Sequence, residues 1–522
     1  MRAALALFAL LIATHPPAPA HAKTMTWSFS SDVLTLDPHT SRVTFTNAFL
    51  ANIYETLVRF DDKLALQPAL ATSWEPVSPT IWRFHLRPGV KFQEGQDFTA
   101  ADVMFTWARL NTPGANRGPL SAVSAMRAID PMTIEIETAK PFPVMLNALV
   151  GMAIMSKSWA DANNAAAASD LASSTENYAT RHANGTGPFR LVSRQPDGPT
   201  VLEAFPGWWD KRQHDLDTVT FLPVKNAATR TASLISGGTD ATVDLPLQDV
   251  ERVARDPNLQ VVQGPELRTI YIGMDHFRDE LLYSDVKGRN PLKDRRVREA
   301  LYRAIDEAAI KRSVMRDQAW PAGFMASPHL TGAPQDLNDR LPFDPETAKR
   351  LLAEAGYPNG FQLGLTCPND RYVNDERICQ AIAAMWTRIG VQTSVQSETS
   401  VVWSRRTANG DVSAFMLGHA ALPLAEVYST LAEVIHSRTE TAGGLNYGRY
   451  SNPAVDKLID QVANETDPAK RAAAIREAFL LEKQDIGNIP LHQQPLVWAS
   501  RRGIDMHQAP DNYLRLWLVK VK

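Results

Sequence analysis

The stretch Trp82-Arg83-Phe84-His85-Leu86-Arg87-Pro88-Gly89-Val90-Lys91-Phe92, continuing to Phe98-Thr99-Ala100-Ala101-Asp102-Val103, carries the reading of the fold. Residues 82–86 alternate apolar and polar side chains, the period of a half-buried strand. Arg87-Pro88-Gly89-Val90 is a turn, because Pro88 fixes φ and Gly89 supplies a positive φ. Thr99 ahead of Ala100, Ala101 and Asp102 is a helix N-cap with an acid at its third position. A strand, a tight turn and a capped helix follow one another in a short span, and that alternation predicts a mixed α/β chain.

The pattern extends in both directions. Further strands are predicted at Thr24–Phe29, 133–137, 188–193, 218–222, 268–274, 361–366, 391–396 and 413–417. Helices are predicted at 294–315, 345–355, 372–389, 453–463 and 468–483. Val297, Leu301, Ile305 and Ala308 recur at helical spacing and give the first of these one apolar face. Asp344-Pro345 and Asp467-Pro468 are caps followed by a first-turn proline, and Gly356 and Gly390 stop their helices. Residues 160–183, rich in Ala, Asn and Ser, lack a strong apolar face and are expected to form a surface helix and loop that can vary freely. There is no internal repeat and no polar linker dividing clean domains, the signature of two lobes that the chain crosses more than once.

The chain has 522 residues, 54 Lys+Arg against 57 Asp+Glu, and a net charge of -3, with 44% hydrophobic residues. This is globular composition, too long for one core. No basic excess exists to neutralise a nucleic-acid backbone. No apolar run of 18 or more residues is present, so no spanning helix is expected. Residues 1–22 read as a secretory signal peptide: Arg2, then a 12-residue apolar stretch, then Ala20-His21-Ala22 as a cleavage site. No Cys near that site offers a lipid anchor, and a bacterial periplasm is the expected compartment. Cys367 and Cys379 are the 2 cysteines. An oxidising compartment favours joining them across a strand–loop–helix turn, with two buried thiols as the alternative.

Catalytic signatures are missing. There is no phosphate-binding G-x-x-x-x-G-K-[ST], no H-E-x-x-H and no G-x-S-x-G. A triad assembled from distant positions stays open, and with it a secreted hydrolase. Neither a metal site nor a cofactor is expected.

Several ordered motifs resemble the family 5 extracellular solute-binding proteins of ABC importers, the group of dipeptide-, oligopeptide- and nickel-binding proteins. They are Leu36-Asp37-Pro38-His39-Thr40, Ile53-Tyr54-Glu55-Thr56-Leu57-Val58, Gln67-Pro68-Ala69-Leu70-Ala71-Thr72-Ser73-Trp74 and the opening stretch. Gly185-Thr186-Gly187-Pro188-Phe189, residues 290–301 (Asn290-Pro291-Leu292-Lys293-Asp294-Arg295-Arg296 onward), Ala353-Glu354-Ala355-Gly356-Tyr357-Pro358 and Tyr450-Ser451-Asn452-Pro453 follow in order. The resemblance implies a two-lobed periplasmic binding protein clamshell of the large class. Lobe I would comprise 23–270 plus 490–522, with an extra subdomain at about 56–186, and lobe II 271–489. It implies a non-enzymatic, monomeric carrier of a peptide or peptide-like solute. Its partners would be membrane permease subunits with a separate ATPase.

The resemblance also places candidate ligand-binding residues. An Asp after the strand at 413–417 holds the ligand amine in the dipeptide-binding relatives; here that position is Leu422, so either Glu426 takes over or the site holds no free amine. Arg371, with Tyr372 beside it, is the candidate carboxylate anchor; an ion pair with Asp370 or Asp375 is the alternative. Trp403 is read as a cleft wall or core, Arg405 as part of a local Arg cluster, and His419 and Tyr447 as possible cleft residues. The missing Asp leaves open an anionic non-peptide cargo of opine or sugar-phosphate type.

Overall fold

The computed structural model describes residues 23–171 and 175–522. The signal-peptide reading of residues 1–22 lies outside the described residues. The fold is mixed α/β and two-lobed. One continuous hydrogen-bonded sheet runs in the order Val391–Glu398, Phe361–Pro368, Ala414–His419, Leu259–Met274, Ile489–Arg501, Ala241–Thr242, Thr24–Phe29, Thr218–Pro223, Thr200–Ala204, Phe189–Arg194. Its middle is two long antiparallel strands, Leu259–Met274 and Ile489–Arg501. One end of that pair, Leu259 to Pro265 opposite Pro495 to Arg501, adjoins the strands of the first lobe. The other end, Thr269 to Met274, pairs with Ala414–His419 of the second lobe. The register breaks between Pro265 and Thr269, and again between Ile270 and Tyr271.

The apolar residues bury in several clusters, one of which runs from Leu234 and Leu247 to Ile272 and Trp386. Met25, Trp27, Phe49, Phe189, Phe221 and Trp498 form the first-lobe core. The second lobe has a core on each face of its strands, one around Ile272, Leu301, Ile382 and Trp386, the other around Phe324, Phe415, Leu431 and Phe479. The strand–turn–helix stretch lies in a separate antiparallel sheet, ordered Ala71–Ser78, Ile81–Leu86, Thr133–Thr138, Val123–Asp130. That sheet packs on the helix Ala100–Arg109 through Phe84, Phe92, Val103, Ile134 and Ile136. Thr99 caps that helix as the sequence predicts, and the Asp102 carboxylate returns to accept from the Thr99 amide at 2.9 Å.

The family motifs resolve into buried polar ties. Arg109 and Asp37, both fully buried, form a bidentate pair at 2.6 and 2.8 Å. The Arg109 guanidinium also donates to Nδ1 of His39, whose Nε2 donates to the Ala153 carbonyl. Gly185 packs so closely on the Ile53 carbonyl that a Cβ would sit 2.0 Å from its oxygen, so no larger residue fits. In the 290–301 motif, Arg298 donates to the carbonyls of Leu292, Asp485 and Ile486, fastening its helix to the entry of the second crossing strand.

Three expectations change. The helix expected at 294–315 ends as Arg295–Arg303, because the Asp306 carboxylate accepts the Ala309 amide and starts a new turn. The helix expected from 372 begins at Asp375, because Asn374 is left-handed (φ 57) and Asp375 instead accepts the amides of Arg371 and Tyr372. The described residues of 160–183 are mostly exposed and start in the helix Lys157–Ala162, as expected, but they are tethered rather than free to vary: Ala160, Ala165 and Ala179 join Trp159 in a small core, and Arg109 donates to the carbonyls of Ala165 and Ala167. Cys367 and Cys379 are joined as a disulfide.

Two stability predictions follow from these ties. Asp37→Asn strands the buried Arg109 charge and costs about 3–5 kcal/mol in urea unfolding at neutral pH. Burial opposes the Asp37 charge, but the Arg109 contacts overcome it and hold the carboxyl below its ordinary 3.8. The pair's contribution is therefore complete above pH 3.8 and lost as pH falls through the lowered value, so the variant shows a shallower loss of stability with acid. Replacing both cysteines by serine releases a constraint on the unfolded chain of about 3 kcal/mol, read as a lowered urea midpoint.

Candidate ligand cleft

A cavity of about 810 Å³ lies between the lobes, bounded by the break in the crossing strands. Its second-lobe wall comes from two loops at strand ends. The loop after Phe361–Pro368 presents Arg371 and Tyr372, and the segment after Ala414–His419 presents His419, Leu422 and Pro423. The first loop is held from several sides. Asp375 takes its amides, Asp370 accepts from the Ser400 amide, Val373 donates to the Gln494 side chain, and the disulfide closes its base.

Arg371 Nε donates to the Tyr372 hydroxyl at 2.9 Å, and the guanidinium lies over both the Tyr372 and Trp403 rings, 5.4 and 5.3 Å from their centroids. Neither Asp370 nor Asp375 pairs with it, so its outward N–H groups are free to meet an anion. The Tyr372 hydroxyl accepts from the Gly418 amide, tying the two strand-end loops together. On the floor, Glu266 and Arg268 form a pair at 3.2 Å, and Gln494 donates to Glu266 at 2.7 Å. These three residues sit on the two crossing strands beside the register break.

Trp403 is buried beneath Tyr372, ring to ring at 6.3 Å, and supports the wall from behind. Arg405 is exposed and does not line the cavity. Glu426 does not replace the missing acid: it is buried, and Arg471 holds it at 2.8 Å. Tyr447 packs in the second-lobe core against Phe415. His419 reaches the cavity neutral, because burial and the nearby Arg268 charge push its pKa down to about 3. Its Nε2 lies 3.3 Å from the Ser429 hydroxyl, which donates to Glu433 at 3.5 Å. Here the hydroxyl stands between ring and acid, whereas a nucleophilic triad needs the ring in the middle.

Sequence reasoning missed Glu433, Arg42 and the Asp511–Arg515 pair, all on the cavity wall. It also missed the aromatic surface of the first lobe, where Phe29 and Phe45 stack at 4.0 Å with Trp208 and Trp517 nearby on the wall. Glu433 is seven residues beyond Glu426, two helical turns, which is the signal that would have offered it as a second acid.

A two-lobed body with a polar-and-aromatic cavity at its crossing strands defines a solute-capturing protein. The chain belongs to the bacterial extracellular solute-binding proteins, family 5: the model of the family's middle region matches residues 65–431. It is similar to the glutathione-binding protein GsiB of Shigella flexneri serotype 5b (strain 8401), 26% identical over 495 residues, covering 92% of this chain and 91% of that one. Among solved structures it resembles the periplasmic binding protein DppA of Helicobacter pylori in complex with the peptide STSA. That likeness has a TM-score of 0.79 and 22% identity, over 96% of this chain and 98% of that one. It also resembles AgaA of A. tumefacien R10 in complex with agropinic acid, with a TM-score of 0.77 and 20% identity, over 96% and 99% of the two chains.

The geometry separates two carboxylate- and guanidinium-bearing positions by experiment. Arg371→Ala is expected to weaken binding of a carboxylate-ended peptide by about tenfold or more in calorimetry, the loss of a charge-assisted hydrogen bond, with thermal stability little changed. Glu426→Gln is expected to lower the melting temperature and leave that affinity within about twofold, because it breaks a core pair rather than a ligand contact.

Proposed function

We propose that this chain is the periplasmic capture component of an ABC importer, enclosing a peptide or peptide-like solute between its lobes. It delivers the closed form to membrane permease subunits powered by a separate ATPase. On this reading residues 1–22 direct export, and the mature chain works as a monomer without turnover. Lobe I comprises 23–270 and 490–522 and lobe II 271–489, with the hinge at the register break between Pro265 and Thr269. The observation that carries the proposal is the uncommitted Arg371 guanidinium, fixed by Tyr372, Trp403 and the Asp375-held loop at the wall of an 810 Å³ interlobe cavity. A cavity of that size suits a small peptide. Family membership, and the peptide STSA and glutathione named for its relatives, support it.

A second reading keeps the fold and changes the cargo to an anionic non-peptide conjugate. Leu422 and Pro423 favour it, being apolar wall where the dipeptide-binding relatives carry an acid.

The test is thermal unfolding of the purified mature chain against short peptides. A true cargo raises stability by RT ln(1 + [L]/Kd), about 2.7 kcal/mol at a hundredfold excess over Kd, and is recovered intact afterwards. Consumption of the peptide over many turnovers would remove the carrier reading. Stabilisation by opines or sugar phosphates alone would select the second reading.

A further inference from the structure

The cavity wall carries four carboxylates and six guanidiniums, and no lysine. Most are already satisfied. Glu55 accepts from the Trp208 and Trp209 indoles and the Thr186 hydroxyl. Glu266 is held by Arg268 and Gln494, and Asp511 is held by Arg515 at 2.7 Å. Arg59 pairs with Asp210 at 2.5 Å, and Arg117 donates to the carbonyls of Leu120 and Val123.

Among the described residues four charged groups on the wall have no opposite charge within 4.0 Å; Arg117 is met by backbone carbonyls, which leaves Glu433 and Arg371 on the second lobe and Arg42 on the first. Glu433 has only the long contact from Ser429. Arg371 has only the Tyr372 hydroxyl and the ring faces beneath it. Arg42, on the turn entering the helix Thr44–Leu50, makes no hydrogen bond or ion pair among the described residues.

Closing the lobes removes water from all three. A charge dehydrated without a partner opposes closure, so the favoured solute is one that brings the matching set of charges. We infer that this solute is a small peptide with one ammonium and two carboxylates, net charge -1, in which Glu433 receives the ammonium and Arg371 and Arg42 receive the carboxylates. This rests on the peptide-capture reading above and narrows it. A neutral zwitterion leaves Arg42 unmatched, and a basic peptide adds a second cation where only Glu433 can take one. Because Arg42 belongs to one lobe and Arg371 to the other, the two carboxylates bridge the cleft and stabilise its closed state. The stacked Phe29 and Phe45, with Leu422 and Pro423, leave an apolar wall for the body of the peptide.

The test is calorimetric titration of the mature chain with four probes: glutathione, Ala-Glu-Ala, Ala-Ala-Ala and Ala-Lys-Ala. At least one doubly carboxylated peptide is expected to bind about tenfold or more tightly than Ala-Ala-Ala, with Ala-Lys-Ala weakest. Arg42→Gln should shrink the acidic-over-neutral preference to under about threefold, and Glu433→Gln should weaken every peptide that binds; circular dichroism checks that both variants fold. Equal binding of acidic and neutral peptides, or a preference for Ala-Lys-Ala, overturns the inference and leaves peptide capture standing. So does an Arg42→Gln variant that weakens acidic and neutral peptides alike, the mark of Arg42 and Glu433 pairing with each other on closure. Binding of none of the four overturns peptide capture itself.

Discussion

Between Pro265 and Thr269 the antiparallel ladder of the two long strands loses register, and it resumes with Thr269 opposite Gln493. On the proposed division this is where the chain passes between lobes, and the side chains at the break, Glu266, Arg268 and Gln494, line the cavity. The same residues bond to the surrounding loops: Gln494 accepts from the Val373 amide, and Arg268 donates to the Gly418 carbonyl. If the lobes close as proposed, a change in their angle would therefore move the cavity wall with it. The paired strands restrict that motion to a few backbone torsions, as hinge closure requires.

The distribution of charge in the cleft follows from the same economy of contacts. Buried groups that fix the fold are matched inside the protein, as Asp37 is with Arg109 and Glu426 with Arg471. Glu433, Arg371 and Arg42, on the cavity wall, lack such a match among the described residues. Glu433 shows the strain of this arrangement, its carboxyl held above the ordinary range chiefly by burial, against the Ser429 hydroxyl and the distant Arg42 charge. A cationic group arriving beside it favours the ionised form.

Local chemistry made much of the fold legible. Thr24–Phe29 has the predicted bounds, and the starts of Pro345–Glu354, Pro453–Asn464 and Pro468–Asp485 follow their caps and first-turn prolines. What sequence spacing could not show was partnership at a distance. Glu426 looked available because Arg471, which captures it, is remote in sequence, and Arg371 looked ready to pair with Asp370 or Asp375 because both are near. In the structure those two carboxylates are occupied by backbone amides, which spacing alone does not reveal. The break at Asp306 and the tethering of the Ala-rich segment were hidden for the same reason: a capping side chain and the bonds from Arg109 outweighed the intrinsic pattern.

The indole of Trp403 lies under the guanidinium of Arg371, out of reach of solvent, with Tyr372 set edge-on beside it. An anion docking on that guanidinium changes the electric field across the ring without touching it. On the proposed reading of Arg371 as the anion anchor, the chain carries a native optical gauge there: a change in the emission of one tryptophan among 12 would register bound cargo, and no label need be attached.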